Sequence, residues 1–195
     1  MGGGRLGSPD AHGSDLECNA CKKLRSGLLR ALADREFTLL TEDDVAGEAG
    51  MRLSVFRRHY ADLDALLEAT YLEVEGDLHP LFTAALEAEG HWTDCLCNAI
   101  EASYDRLERM PGAIRLYEAA WTGPPSLQRR RAADRRRYIE QLAQRAPELP
   151  ELHAEFVIGA LYRAAQDEMA SPAPDLGRMR RRARELIAVL EPVAA

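Results

Sequence analysis

Nineteen residues near the N-terminus, EDDVAGEAGMRLSVFRRHY (Glu42–Tyr60), constrain the fold more than any other segment. Thr41 and Asp44 have the spacing of a helix-capping pair, so a short helix is predicted to start here. Gly50 then stands where a tight turn between two helices needs an unhindered backbone. Apolar residues at helical spacing follow it, so the segment predicts two short helices joined by a glycine turn.

The remaining chain also has helical periodicity, and strand signals are nearly absent. A first helix is predicted over about Asp15–Arg35 and a longer one over about Leu63–His79, with Asp62 as its N-cap. Proline and glycine breakers from Pro80 onward divide the rest. They predict further helices at about 81–89, 93–110, 113–121, 126–145, 151–169 and 176–190. About ten helices result, and the predicted fold class is all-α.

The net charge of −7 argues against non-specific binding to nucleic acid. Its distribution is uneven, because Met51–Tyr60 contains three arginines and no acid. No apolar run is long enough to span a membrane, and residues 1–13 lack the apolar core of a signal peptide. We therefore expect a cytoplasmic protein without a membrane partner, and a disordered lead-in over residues 1–13.

A longer helix followed by two short ones predicts a helix-turn-helix domain. In that geometry the second short helix enters the DNA major groove. Its polar side would present Arg52, Ser54, Arg57 and Arg58, and arginine pairs with guanine edges or phosphates. The alternative is an ordinary pair of short helices in a helical protein.

The segments TEDDVAGEAGM, FRRHY and ADLDALLEA resemble the DNA-binding domain of the TetR family of bacterial transcription regulators, over Leu28–Ala69. The resemblance implies a homodimer that binds a near-palindromic double-stranded DNA operator, usually as a repressor without enzyme activity. It implies a helix-turn-helix domain at 14–62, followed by a helical domain at 63–195 for a small-molecule effector and dimerisation. Together with the helix-turn-helix geometry, it gives Thr41, Arg52, Ser54, Arg57, Arg58 and His59 as the expected DNA contacts.

Several family positions are substituted in this chain. Arg52 stands where a capping Ser or Thr is common, and Val55-Phe56-Arg57 replaces a run in which a tyrosine often meets phosphate. Leu63 stands where a lysine usually contacts phosphate. Arg57 can replace the lost phosphate contact, whereas Leu63 cannot. The alternative function is therefore a helical regulatory or small-molecule-binding protein that kept the fold but lost sequence-specific DNA binding.

The aromatic residues after His79 predict an effector pocket on the middle helices, with core packing as the alternative. The expected ligand contacts are Trp92, Tyr104, Tyr117 and Trp121. By resemblance the last two helices form the dimer interface, unless they pack only on their own subunit. The expected interface residues are Phe156, Gly159, Ala160, Leu186 and Leu190. The arginine clusters at 129–131, 135–137 and 178–184 are interpreted as solvated faces or ion pairs at the interface, with a DNA role as the alternative.

Four cysteines occur as two close pairs, Cys18 with Cys21 and Cys95 with Cys97. A zinc site would need both pairs brought together, with His91 as a further candidate ligand. Because helical cysteine is often simply buried, no metal or other cofactor is predicted, and a metal site or a thiol redox sensor is the alternative. A nucleophile–base or paired-carboxylate constellation is also missing from the sequence, which does not indicate an enzyme.

Overall fold

The computed structural model describes residues 18–147, 149, 151–171 and 173–190. These residues form nine α-helices, with one 3₁₀ turn at Phe37–Leu39. The helices are α1 (Asn19–Asp34), α2 (Glu42–Glu48), α3 (Leu53–His59), α4 (Leu63–Leu86), α5 (Trp92–Glu108), α6 (Ala113–Thr122), α7 (Pro125–Arg145), α8 (Glu151–Met169) and α9 (Leu176–Leu190). The all-α prediction is confirmed. The expected lead-in at 1–13 lies outside the described residues.

One prediction about helix ends is wrong: Pro80 does not end the fourth helix. α4 continues through Pro80 to Leu86. A proline inside a helix removes a backbone hydrogen bond and costs about 3 kcal/mol. The helix nevertheless buries Leu78 before the proline and Phe82 and Leu86 after it. Each buried side chain contributes about 1.5–3 kcal/mol to stability. Tertiary packing therefore outweighs the local cost.

Two apolar clusters organise the helices. The first joins α1–α3 to α4 and α6, and includes Leu28, Phe56, Leu67 and Leu116, all completely buried. The second fills the space between the far half of α4 and helices α5, α7, α8 and α9. Because α4 contributes to both clusters, it connects the N-terminal helices to the C-terminal bundle. Among the described helices, none is both long enough and apolar enough to cross a membrane.

Candidate nucleic-acid interface and ligand cavity

The helix pair α2 and α3 begins with a complete capping box. The Thr41 hydroxyl accepts a hydrogen bond from the Asp44 backbone N–H at 3.2 Å, and the Asp44 carboxylate accepts one from the Thr41 N–H at 2.8 Å. Arg35 lies 2.8 Å from the same carboxylate and, with the Thr41 hydrogen bonds, lowers the pKa of Asp44 to about 2. Thr41, an expected DNA contact, is exposed but already used to start α2.

Gly50 makes the turn between α2 and α3, with a φ of 66° that suits glycine. The Met51 N–H then donates to the Ala46 carbonyl oxygen at 2.8 Å, which closes the end of α2. On α3, Phe56 is completely buried against the core. This anchor holds α3 against the other N-terminal helices and turns its opposite side outward.

The outward side of α3 is basic. Arg52, Ser54, Arg57 and Arg58 are all exposed, as the helical spacing predicts. Arg57 is held by Glu42 of α2, with 2.9 Å between Nε and Oε2. An acid beside the basic side of α3 lowers the attraction of that side for an anion. Leu63 packs against the first cluster and offers no charge at the start of α4.

His59, the last residue of α3, is placed differently from the other expected DNA contacts. It is half-buried, and its Nδ1 lies 3.5 Å from the Cys21 Sγ and 3.9 Å from the Cys18 Sγ. The neighbouring Tyr60 hydroxyl accepts a hydrogen bond from Arg25 at 3.2 Å, and Arg25 also pairs with Glu73. The end of α3 is therefore attached to α1 through polar side chains.

Cys95 and Cys97 do not belong to the group formed by Cys18, Cys21 and His59. The Cys95 Sγ lies 3.2 Å from the Ala88 carbonyl oxygen, and His91 is bonded to Thr93 through Nδ1 at 2.7 Å. The hypothesis of a zinc site uniting both cysteine pairs with His91 is wrong within the described residues. The two pairs lie on different helices, α1 and α5, which pack into different apolar clusters.

A cavity of about 140 Å³ lies in the C-terminal bundle, between α4, α5, α6, α7 and α8. Three of the four expected ligand contacts line it: Tyr104, Tyr117 and Trp121. Trp92 does not, because it starts α5 and is packed in the second apolar cluster, 2% exposed. The cavity begins on α5 at Ile100, eight residues and about 12 Å further along the helix.

Glu75 of α4 is the main polar group of the cavity wall. Its carboxylate accepts hydrogen bonds from the Tyr117 hydroxyl at 2.6 Å and the Tyr138 hydroxyl at 3.0 Å. Burial raises the pKa of Glu75 above its ordinary value, and the two hydrogen bonds oppose that rise. Arg131 also lines the cavity, 4.6 Å from the centre of the Trp121 ring.

Sequence reasoning missed Glu75, although a signal was present. Glu75 follows Tyr71 by four residues and precedes Leu78 by three, so it lies on the buried stripe of α4. An acid on an otherwise apolar helix stripe indicates a buried carboxylate with polar partners. Its hydroxyl partners come from α6 and α7, and this pairing was not visible in the sequence.

An apolar stripe follows the outer side of α8. Leu152 is 73% exposed and Phe156 is 60% exposed, with Gly159 and Ala160 half-buried on the next turns. On α9, Val189 is 71% exposed and Leu186 is half-buried. The side chain of Leu190 lies outside the described part. Contiguous exposed apolar patches mark protein–protein contact sites, and this stripe is the candidate for one on the described surface.

The arginine clusters form ion pairs within the subunit. Arg180 of α9 contacts Glu101, Asp105 and Glu108 along α5, at 2.9, 2.6 and 3.0 Å. On α7, Arg130 lies 3.4 Å from the buried Asp134. Arg180 joins α9 to α5, whereas the Arg130–Asp134 pair lies within α7. The ion pairs expected at the interface stay a prediction.

No protein-family model and no curated protein sequence matches the chain. Several solved protein structures, by contrast, match the fold of this chain. The multidrug binding protein EbrR, complexed with imidazole, superposes with a TM-score of 0.66 at 20% identity, over 89% of this chain and 96% of that one. A TetR-family transcriptional regulator from Streptomyces coelicolor gives 0.65 at 15% identity, over 91% and 100%. A TetR-family regulator from Marinobacter aquaeolei VT8 gives 0.58 at 18% identity, over 86% and 94%.

These similarities extend over both the helix-turn-helix segment and the cavity-bearing bundle. At such identities they concern the fold and not the ligands or DNA sites of the individual proteins. The resemblance found in the sequence is thus confirmed at the level of the fold: this chain has the fold of the TetR-family transcription regulators.

Proposed function

We propose that this protein is a cytoplasmic, ligand-responsive transcription regulator, acting as a repressor, that binds a near-palindromic operator as a homodimer. The observation that carries the proposal is the basic side of α3. It is exposed beside a capped α2 and held outward by the buried Phe56, in a fold shared with transcription regulators. No catalytic activity is part of this function.

In this proposal Arg52, Ser54 and Arg58 contact the operator, where arginine pairs with guanine edges or phosphate. Arg57 contacts a phosphate after it leaves Glu42. Thr41 completes the contacts at the start of α2. His59 positions the end of α3, because its ring faces Cys18 and Cys21.

The dimer is proposed to form through the apolar stripe of α8 together with α9. A twofold axis there pairs the stripe with its own copy, as isologous interfaces require. Gly159 and Ala160 allow close approach of the two α8 helices, while Phe156 supplies buried area. The two α3 helices then read half-sites about 34 Å apart, one turn of DNA.

The effector is proposed to be a small aromatic cation. A cavity of about 140 Å³ is close to the roughly 150 Å³ that accommodates a benzene ring. Tyrosine and tryptophan rings attract a cation, and the Glu75 carboxylate supplies the opposite charge. The structural neighbour EbrR, named as a multidrug binding protein and complexed with imidazole, agrees with a ligand of this size.

Helix α6 offers a route from the cavity to the DNA-binding helices. Tyr117 and Trp121 of α6 line the cavity, and the N-cap of the same helix, Gly112, packs against Leu29, Leu32 and Ala33 of α1. A ligand that moves α6 therefore moves α1, which packs on α2 and α3. This is how ligand binding is proposed to release the operator.

Selection of bound fragments from genomic DNA tests the proposal. We expect the wild-type chain to enrich one near-palindromic sequence, and Arg52→Ala/Arg58→Ala to lose that enrichment. Arg129→Ala, at an exposed position on α7, is the matched control and keeps it. A folded, dimeric wild-type protein that enriches no sequence at low salt would instead support the alternative, a ligand-binding protein that lost DNA recognition.

Ligand binding is tested separately with benzylamine and its neutral isostere benzyl alcohol. We expect benzylamine to change the fluorescence of the wild-type protein and of Trp92→Phe, but not of Trp121→Phe, since Trp121 lines the cavity. Glu75→Gln is expected to weaken benzylamine binding by tenfold or more, about 1.4 kcal/mol, with little effect on benzyl alcohol. Equal binding of the two compounds would exclude a cation site.

A further inference from the structure

We propose that Cys18, Cys21 and His59 form a site for a thiophilic divalent metal ion, with Zn²⁺ as the reference case. Within the described parts of the chain, they are the one group of three His, Cys, Asp or Glu side chains whose donor atoms lie close enough to share an ion. The site joins the first turn of α1 to the last residue of α3. It is distinct from the cavity in the C-terminal bundle.

The distances agree with the coordination geometry of zinc. The three donor atoms lie within 4.8 Å of one another, and the two sulfur-to-Nδ1 distances are 3.5 and 3.9 Å. Zn–S bonds of about 2.3 Å and Zn–N bonds of about 2.0–2.1 Å at tetrahedral angles place sulfur and nitrogen roughly 3.5 Å apart. The two sulfur-to-nitrogen distances are therefore within a few tenths of an ångström of that value.

The local sequence also favours a metal. Cys18 is the N-cap of α1 and Cys21 lies three residues later, so both thiols lie on one side of the helix start. The positive end of a helix favours thiolates, which are the metal-binding form.

The residue that follows His59 is anchored to α1 and α4 by polar contacts. Arg25, 3% exposed, lies one turn after Cys21 and donates to the hydroxyl of Tyr60, which follows His59. Glu73 of α4 pairs with the same guanidinium. The end of α3 is thus oriented toward the two thiols before an ion binds. Three protein donors leave the fourth position of a tetrahedral ion for water or another ligand.

A bound ion would connect α1 rigidly to the recognition helix α3, one residue after Arg58. In the metal-free protein α3 is held on α1 by the apolar packing around Phe56, the sulfur–imidazole contacts and the Arg25–Tyr60 hydrogen bond. Metal binding is therefore expected to strengthen operator binding by fixing α3. This coupling rests on the proposed function, whereas the site itself does not.

Cobalt titration of the full chain tests the site without DNA. We expect one equivalent of Co²⁺ per chain, with a thiolate-to-cobalt charge-transfer band and the visible bands of a tetrahedral ion, displaced by Zn²⁺. Cys18→Ser and His59→Gln are expected to weaken binding more than about 100-fold, since loss of even an outer partner costs 10–100-fold. Cys97→Ser, on α5, is the matched control and binds as wild type.

Thermal unfolding supplies a second readout. Zn²⁺ at about one hundred times its Kd should raise the Tm of the wild type by about 5–10 °C, reversed by EDTA, and leave Tm of His59→Gln unchanged. Circular dichroism shows whether each variant is folded. Cobalt spectra in folded Cys18→Ser and His59→Gln that equal the wild-type spectrum would overturn the proposal. So would a wild-type protein that, under reducing conditions, binds no Co²⁺.

Discussion

Substitution of Gly112 by alanine is predicted to destabilise the protein at the contact between α6 and α1. Gly112 has a φ of 71°, and a left-handed backbone costs a residue with a side chain about 1–2 kcal/mol. Its added Cβ would also overlap the Leu29 carbonyl oxygen and lie 2.8 Å from the Leu32 Cβ. Two carbons prefer about 3.5–4.0 Å, so α6 has to move roughly 1 Å away from α1.

Overpacking of this kind costs about 1–3 kcal/mol, which gives a total of about 2–5 kcal/mol. In a chain of this size each kcal/mol lowers Tm by about 2–4 °C. Gly112→Ala is therefore expected to lower Tm by about 4–20 °C, measured by calorimetry or circular dichroism. The altered α1–α6 contact is also expected to weaken the effect of ligand on operator binding.

Two other glycines separate the two contributions. Gly50 has a φ of 66° but open space around its Cβ position, so Gly50→Ala is expected to lose only the backbone cost, about 2–8 °C. Gly76 lies inside α4 with open space, and Gly76→Ala is expected to gain about 0.5–1 kcal/mol. If Gly112→Ala loses no more than Gly50→Ala, the described packing of α6 on α1 is refuted.

Three further predictions concern charge and assembly. Glu42→Gln frees Arg57, so fluorescence anisotropy with an operator duplex at several salt concentrations should show tighter binding and a salt slope steeper by about 1. An additional Arg57→Ala should cancel that gain, and a slope unaffected by Glu42→Gln would contradict it. Burial raises the pKa of Glu75, so between its ordinary and raised pKa the folded chain binds more protons than the unfolded chain. Glu75 should therefore contribute a fall in Tm of the ligand-free protein as pH rises through that window, and Glu75→Gln should remove that contribution. Phe156→Glu should dissociate the dimer in sedimentation velocity, whereas Leu81→Glu, at an exposed apolar position on α4, should not; a dimer that survives Phe156→Glu would place the interface elsewhere.

The local elements were largely readable from the sequence. The Thr41–Asp44 pair starts α2, Gly50 makes the turn, and helices α5–α9 begin and end within two residues of the predicted limits. These features depend on neighbours within a turn or two of the chain, where capping, helical spacing and backbone freedom act directly. The exposed arginines of α3 follow from the same periodicity.

Long-range packing decided the rest. Pro80 stays inside α4 because distant helices bury the residues around it, and no local signal reports that stabilisation. Trp92 and Tyr117 are both aromatic residues on middle helices, yet only Tyr117 reaches the cavity. Glu75 is a buried, hydrogen-bonded acid in the cavity wall because tyrosines from two other helices contact its carboxylate.

His59 is the clearest example of a residue whose contacts depend on long-range packing. In the sequence it follows Arg57 and Arg58 and is interpreted with them as a DNA contact. In the fold it is the residue at which α3 turns back toward α1, and its ring meets two cysteines 38 and 41 residues earlier. Periodicity determines which side of a helix a residue occupies, but only the packing of one helix on another determines what that side meets.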